Sequence, residues 1–125
     1  MFGILSSSVI VLTDGNLVIG SPHWNDDMGA ATWMNATTGL TGPVSSANSL
    51  VGGTNANGVA GFNAVGDYLS EGDQVGANIV ALPNGDYVVD TPSWSFNTGA
   101  VTWGSGTSGV SGVVSSTNSL VGRCV

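Results

Sequence analysis

The sequence predicts an all-β repeat protein made of two units of about four antiparallel strands each. Three observations lead to this prediction. The segment Val9–Gly52 aligns without a gap with Ile79–Gly122, at a constant offset of 70 positions. Both segments carry strong hairpin signals, and the chain shows no helical periodicity of apolar residues. A fixed period is typical of repeat architectures, in which one unit buries its faces only against its neighbours.

The first two strands of each copy are predicted to form a hairpin. In the first copy, the apolar run Val9–Leu12 is joined to Leu17–Ile19 across Asp14-Gly15, and residues 79–89 repeat the pattern around Asn84-Gly85. Asp-Gly and Asn-Gly between β-branched runs are the strongest local hairpin signal, because a type I′ turn needs positive φ at both central residues. We therefore expect a type I′ hairpin in each copy.

The third and fourth strands follow at matching positions. Gly29–Trp33 and its counterpart 99–103 have the composition of a strand, and the shorter runs Asn48–Val51 and 118–121 follow after Gly/Ser/Thr-rich stretches. Four short strands with an aromatic residue fixed in each copy are typical of a propeller blade.

These segments divide the chain into three parts. Residues 1–52 are predicted to form the first blade-like repeat, 53–78 a linker with the start of the second unit, and 79–125 the second blade-like repeat. The linker contains two candidate strands, at 59–62 and 67–69.

The hairpin runs are apolar on consecutive residues, which indicates strands that are covered on both faces. A sandwich and a β-propeller both provide this, and the repeat favours the propeller. Because two blades cannot close a ring, we expect completion as a homo-oligomer, with three copies giving six blades and strand exchange through Phe2–Leu5; the alternative is a fragment of a longer repeat protein.

Composition excludes several classes of partner. The formal net charge is −7, and Arg123 is the only Lys or Arg. Phosphate backbones and anionic lipid surfaces both require clustered cations, so we expect no nucleic acid partner and no such membrane contact. No apolar run approaches the ~20 residues that span a bilayer, so we expect no membrane insertion. The single cysteine, Cys124, allows no internal disulfide.

The sequence shows no catalytic motif. His23 is the only histidine, and the second copy has Ser93 in its place. A nucleophile elbow, Gly-x-Ser-x-Gly, does not occur, and no acidic residue is retained in place between the copies. We therefore expect a protein that is not an enzyme and that uses no cofactor.

Two acidic stretches are candidates for cation binding. Asp26-Asp27 follow Trp24 in a predicted loop and either bind calcium, with backbone carbonyls completing the shell, or remain solvated. Asp67, Glu71 and Asp73 form the second stretch and are expected to be solvated. We predict no metal site from these patterns.

The four tryptophans are retained between the copies. Trp33 and Trp103 end apolar strands, and we expect both in the core. Trp24 and Trp94 follow proline in a loop that differs between the copies. They either fill the space between blades or stack on sugar rings, and the second alternative makes them ligand contacts.

The predicted ligand-binding residues are Trp24, Trp94, Asn25 and Asp26, since aromatic rings and neighbouring amide or carboxylate groups together suit a sugar. The function predicted on this basis is a non-catalytic binding module with a glycan or another surface ligand as partner. The alternative is a purely structural repeat unit that has no ligand of its own.

Several phrases resemble a known family. Gly72–Gly76, a hairpin, the proline-containing strand end Asp90–Pro92 and then Gly99–Trp103 are similar in order to the FG-GAP blades of integrin-type β-propellers. The phrases NGDYVV, TPSW, GAVTW and NSLVG resemble repeats of bacterial adhesin-like surface proteins. The resemblance implies a propeller-type fold and an extracellular or cell-surface adhesion role, although the first residues lack the basic start of a signal peptide. The calcium loop of FG-GAP blades is not matched at Asp14–Asn16 or Asn84–Asp86.

Overall fold

The computed structural model describes residues 8–53 and 72–122. Within them the two copies form two separate sheets, which confirms the all-β repeat organisation. The candidate linker strands at 59–62 and 67–69, and the proposed exchange segment Phe2–Leu5, lie outside the described residues.

Each copy contributes a four-stranded antiparallel sheet. The order is β1-β2-β3-β4 in the first sheet, with β8 added at its edge, and β5-β6-β7-β9 in the second. The elements are β1 (Ser8–Val11), β2 (Leu17–Ser21), α1 (Trp24–Asp27), β3 (Ala30–Met34), β4 (Ser49–Val51), β5 (Asn78–Ala81), β6 (Tyr87–Thr91), α2 (Trp94–Asn97), β7 (Ala100–Gly104), β8 (Gly112–Val113) and β9 (Leu120–Val121).

The hairpin turns differ from the prediction. The backbone N–H of Gly15 donates to the Leu12 carbonyl at 2.9 Å, and the N–H of Leu12 donates to the Asn16 carbonyl at 2.8 Å. Only Gly15 has a positive φ in this turn, at 95°. This is a type I turn followed by a glycine bulge, so the type I′ prediction was wrong. The Asp14 carboxylate, which accepts the Asn16 N–H at 3.0 Å, favours this turn over the predicted one.

Two single helical turns, α1 and α2, separate the second and third strands where the sequence indicated only loop. In α1 the backbone is left-handed at Asn25, Asp26 and Asp27, with φ of 54°, 57° and 66°. Asn and Asp tolerate this region better than other residues that carry a Cβ. One turn is too short to show helical periodicity in the sequence, which explains why it was not predicted. Neither α1 nor α2 has the length or the apolar character to cross a membrane.

The two sheets pack on each other through one face of each. Alternation along the strands places Val18, Trp33 and Leu50 on one face of the first sheet. In the second sheet Tyr87 and Val89 share the face that meets it. The buried cluster between them consists of Leu12, Val18, Ala31, Leu50, Val75, Tyr87, Val89, Ala100 and Val114.

The remaining faces at the two ends of this stack are uncovered by any sheet of the described chain. We call the one on the second sheet the open face; its exposed apolar side chains are Val80, Val101, Trp103 and Leu120. The prediction that Trp103 lies in the core was therefore wrong, since 56 % of the residue is exposed, whereas Trp33 packs against the core. The opposite end, which we call the outer face, belongs to the first sheet and exposes Val9 and Val11.

Candidate functional site

The first sheet is completed by a strand from the second copy. Gly112 and Val113 of β8 lie opposite Leu50 and Val51 of β4, and the two strands run parallel. The N–H of the next residue, Val114, donates to the Val51 carbonyl at 3.0 Å. Val114 and Leu50 belong to the same buried cluster, so the second copy extends the edge of the first sheet and shares a core with it. We call this contact between β4 and residues 112–114 the joint.

Residues 105–111 form a loop of the second copy that contacts the first copy beside the joint. The carbonyl of Gly106 accepts hydrogen bonds from Asn16 Nδ2 at 2.8 Å and from Trp33 Nε1 at 3.1 Å. Gly109 lies directly against Trp33, because a Cβ at this position would stand 2.6 Å from the Trp33 Cβ. The loop therefore depends on both copies for its position.

Tyr87 supports the same loop from inside the core. Its hydroxyl accepts the Val110 N–H at 3.2 Å, and its fully buried ring lies over Gly104. Burial raises the pKa of the Tyr87 hydroxyl to about 12, because a phenolate at this place would lose its hydration, and the bond from Val110 opposes the rise only partly.

This raised pKa gives a testable pH dependence. Between pH 10 and about 12 the tyrosine ionises in the unfolded chain but stays neutral in the folded one, so the free energy of unfolding should fall as the pH rises. Tyr87→Phe should remove this alkaline loss and cost about 1 kcal/mol at neutral pH through the bond from Val110. Urea unfolding at pH 8 and pH 11 measures both effects. Tyr68 is present in both the wild-type chain and the variant, so its ionisation cancels in the comparison. An unchanged loss of stability at alkaline pH in the variant would contradict the assignment of this loss to Tyr87.

Asp73 ties together three segments of the chain and is only 4 % exposed. Its Oδ2 accepts the Gly53 N–H at 2.9 Å, and its Oδ1 accepts the Ser95 N–H at 3.1 Å. The expectation that Asp73 is solvated was therefore wrong, because the carboxylate serves as a buried acceptor for backbone groups; its sequence neighbours Asp67 and Glu71 lie outside the described residues. Burial raises the pKa of Asp73, and the two backbone bonds oppose this rise.

We expect Asp73 to lower stability as it ionises. Its pKa is raised above 3.8 in the folded chain, so the folded state holds the proton longer than the unfolded state. The free energy of unfolding should therefore fall, relative to that of Asp73→Asn, as the pH rises from 3 through the folded pKa. Urea midpoints at pH 3 and pH 6 measure this difference, with Asp26→Asn as the control for losing one exposed carboxylate. A relative gain of stability over this range would refute the assignment.

The predicted ligand-binding residues lie in two equivalent turns, one on each sheet. Trp24 is half-buried in α1, next to the exposed Asn25 and Asp26. Trp94 is half-buried in α2 and packs against the core cluster, which favours its space-filling role. Ligand binding by Trp24, Asn25 and Asp26 stays a prediction.

The histidine of the first turn is engaged locally. His23 Nδ1 lies 2.6 Å from Asp27 Oδ1, one turn further along α1. Across residues 8–53 and 72–122, no group of three or more His, Cys, Asp or Glu side chains is placed to hold a metal ion.

A cleft opens beside the joint, between loops of the two copies, with a volume of about 250 Å³. Its apolar lining includes Trp33, Met34, Leu40 and Val110, and its polar lining includes Asn35, Thr38, Asn48, Ser108 and Ser111. The sequence did not reveal this cleft, because it exists only where residues 108–111 of one copy lie against Trp33 of the other. The Gly/Ser/Thr-rich stretch after each strand-ending tryptophan was the only signal of it.

Comparison with known proteins identifies the repeat itself. A family model described as "Repeat of unknown function (DUF5650)" matches residues 11–61 and 81–124, which together are about three quarters of the chain. The two matched segments begin at equivalent positions of the two copies. No curated protein and no solved structure gives a significant match.

Proposed function

The chain belongs to this family of repeats, and we propose that its function is structural: each copy is a blade-type unit that completes the sheet of its neighbour in a larger scaffold. The observation that carries the proposal is the joint, where β8 of the second copy supplies the edge strand of the first sheet. A unit that supplies an edge strand to the sheet of its neighbour is suited to a repeat array, because one copy alone leaves a sheet edge unpaired.

The distribution of apolar side chains supports the same role. The buried cluster draws on both copies, and Leu50 of the first copy is fully buried within it. In repeat proteins of this kind, stability is largely a sum of contacts within units and between neighbours. The propeller-blade arrangement, with further units extending the stack towards a ring, is part of this proposal.

Hydrogen exchange tests whether the two copies act as one unit. If the joint holds them together, the slowest amides of β2 and β3 should exchange with the same opening free energy as those of β6 and β7. Two distinct free energies, one for each sheet, would show independent units and overturn the proposal. The measurement uses the intact chain at low micromolar concentration, so that contacts between molecules do not contribute.

The cleft favours a second candidate function, the binding of a neutral glycan. It combines an indole and aliphatic side chains with hydroxyl and amide groups, and it contains no charged side chain. Sugars present apolar ring faces and many hydroxyls, which suits such a lining. This candidate places the ligand next to Trp33 and away from the predicted Trp24 turn.

NMR titration with a panel of neutral sugars distinguishes these places. Binding in the cleft should shift the Trp33 indole N–H and the Ser108 and Ser111 amides in a saturable way, and Ser111→Leu should abolish the shifts by filling the cleft. Shifts confined to Trp24 and Asn25 would instead support the turn predicted from the sequence. If no sugar gives a saturable shift, glycan binding is rejected and only the structural function remains.

The adhesin-like role and the extracellular or cell-surface location rest on motif resemblance and composition, and they stay predictions. They are compatible with a structural repeat, since a scaffold of stacked units can display ligand-binding clefts at each joint.

A further inference from the structure

Each half of the joint has a counterpart that the described chain leaves unused. Strand β9 is the equivalent of β4, and residues 42–44 are the equivalent of 112–114. Within residues 8–53 and 72–122, β9 pairs only with β7, and residues 42–44 belong to no strand. One end of the molecule therefore carries an edge of the kind that accepts a strand, and the other carries a segment of the kind that supplies one.

The unused segment has the shape of the one that is in use. Gly42 has a φ of 107°, against 106° at its counterpart Gly112. The Asn48 side-chain amide donates to the Pro43 carbonyl at 3.0 Å, and the corresponding bond in the second copy has the same length. Residues 42–44 are therefore held in the conformation that forms the joint before any partner is present.

Pro43 is compatible with pairing despite its missing N–H. It is the counterpart of Val113, whereas the N–H that bonds to the Val51 carbonyl comes from Val114. The counterpart of Val114 is Val44, which has an N–H to donate. Proline is acceptable in an edge strand at a position whose nitrogen does not donate a hydrogen bond to the neighbouring strand.

The faces next to these elements are both apolar. Leu50 in β4 is 0 % exposed, whereas its counterpart Leu120 in β9 is 79 % exposed. Trp103 is exposed on the same open face, and the outer face presents Val9 and Val11. Inside the chain, the equivalents of these two faces pack on each other. The interface between the two copies thus shows which surface fits the open face.

We propose that a second copy of this chain docks head to tail on the first. Residues 42–44 of the second copy add to β9 as a parallel strand, with Gly42 opposite Leu120 as Gly112 lies opposite Leu50 in the joint. The outer face of the second copy covers the open face of the first. The proposal rests on the structural function proposed above and adds the partner to it. The contact joins different surfaces of the two molecules, so it repeats along an assembly and either closes a ring or extends a filament.

One residue of the open face limits this docking. Asp90 occupies the position of Gly20, which in the first sheet lies against the Gly76 carbonyl and Ile79 with no room for a Cβ. A charged side chain that points into a prospective interface is a known device against uncontrolled pairing of edges. Asp90 therefore makes the association of two chains weaker than the joint within one chain, and reversible.

Cysteine cross-linking tests the register. In a Cys124→Ser background, Val121→Cys is combined with Pro43→Cys, because paired strands lie about 4.8 Å apart, within reach of a disulfide. Oxidation should give a ladder of dimers and larger species on a non-reducing gel. The matched control, Val51→Cys with Val113→Cys, should close within one chain and run as a monomer. Monomer alone from the first pair, with the control pair closed, would overturn the proposal.

Sedimentation velocity over a range of concentrations tests the faces. Leu120→Asp should weaken self-association at least about tenfold, since it places a charge where an apolar contact forms. Asp90→Gly should strengthen it by a similar factor, and Asp90→Asn separates the effect of charge from that of size. Thermal unfolding confirms that each variant is folded.

The outcomes separate this inference from the function on which it rests. A strict monomer at every concentration overturns the head-to-tail contact, and so does an association that Leu120→Asp leaves unchanged. If hydrogen exchange still shows one cooperative unit in that case, the structural function stands without the second copy. If hydrogen exchange shows two independent units and sedimentation shows only a monomer, both the head-to-tail contact and the structural function are overturned.

Discussion

Truncation of Leu50 to alanine should destabilise the chain by about 2–5 kcal/mol, the usual cost of removing a fully buried leucine side chain. The same truncation at its counterpart, Leu120, should cost less than about 0.5 kcal/mol, as is usual for an exposed position. The two leucines occupy the same place in the repeat and differ in that only Leu50 is covered by the other copy. The difference between the variants therefore measures what the packing of the two copies on each other contributes.

Urea unfolding followed by tryptophan fluorescence gives both values. The protein is kept at low micromolar concentration, so that Leu120 is not covered by a second molecule. A third variant, Val113→Ala, removes an exposed side chain from β8 and should change the midpoint little. Equal losses for Leu50→Ala and Leu120→Ala would mean that the packing of the two copies on each other contributes nothing measurable, and the structural function would lose an essential support.

Substitution of Gly104 by alanine should cost about 1–3 kcal/mol through overpacking. A Cβ at Gly104 would run into the Tyr87 ring, which is fully buried. The φ of Gly104 is not positive, so alanine meets no backbone penalty there and would otherwise favour the strand. The expected loss therefore reports the contact with Tyr87 directly.

A double-mutant cycle with Tyr87→Leu checks this cause. The first copy has Leu17 opposite Met34, where the second has Tyr87 opposite Gly104, so the two copies divide the same space differently. Gly104→Ala should cost less in the Tyr87→Leu background than in the wild type, with a coupling of about 1–2 kcal/mol. Additive losses would show that the ring does not obstruct the alanine.

Local pattern predicted the hairpins and the third strands, because β-branched runs bounded by Asp-Gly or Asn-Gly determine these elements almost alone. The turn type was missed, since the bond from the Asn16 N–H to Asp14 favours a type I turn. Strand β8 was not predicted, because Gly112–Val113 lies in a Gly/Ser-rich stretch and pairs only through a tertiary contact with β4.

The sequence also could not show which copy is covered. Trp33 and Trp103 occupy equivalent positions, yet only Trp33 lies under the other copy. Repetition predicts equal environments, whereas the ends of a short stack break that equality. The cleft and the buried position of Asp73 were missed for a related reason, since both arise where separate segments meet.

The addition of β8, a strand of the second copy, to the first sheet has a consequence for the order in which the chain folds. Residues up to Val51 contain four strands of that sheet, but β8, which pairs with β4, follows about sixty positions later. During synthesis the first sheet therefore lacks its fifth strand until the corresponding part of the second copy has left the ribosome. Contacts between such distant segments slow folding and lengthen the exposure of apolar surface. We expect ribosome-bound chains that end before residue 112 to resist proteolysis far less than full-length chains.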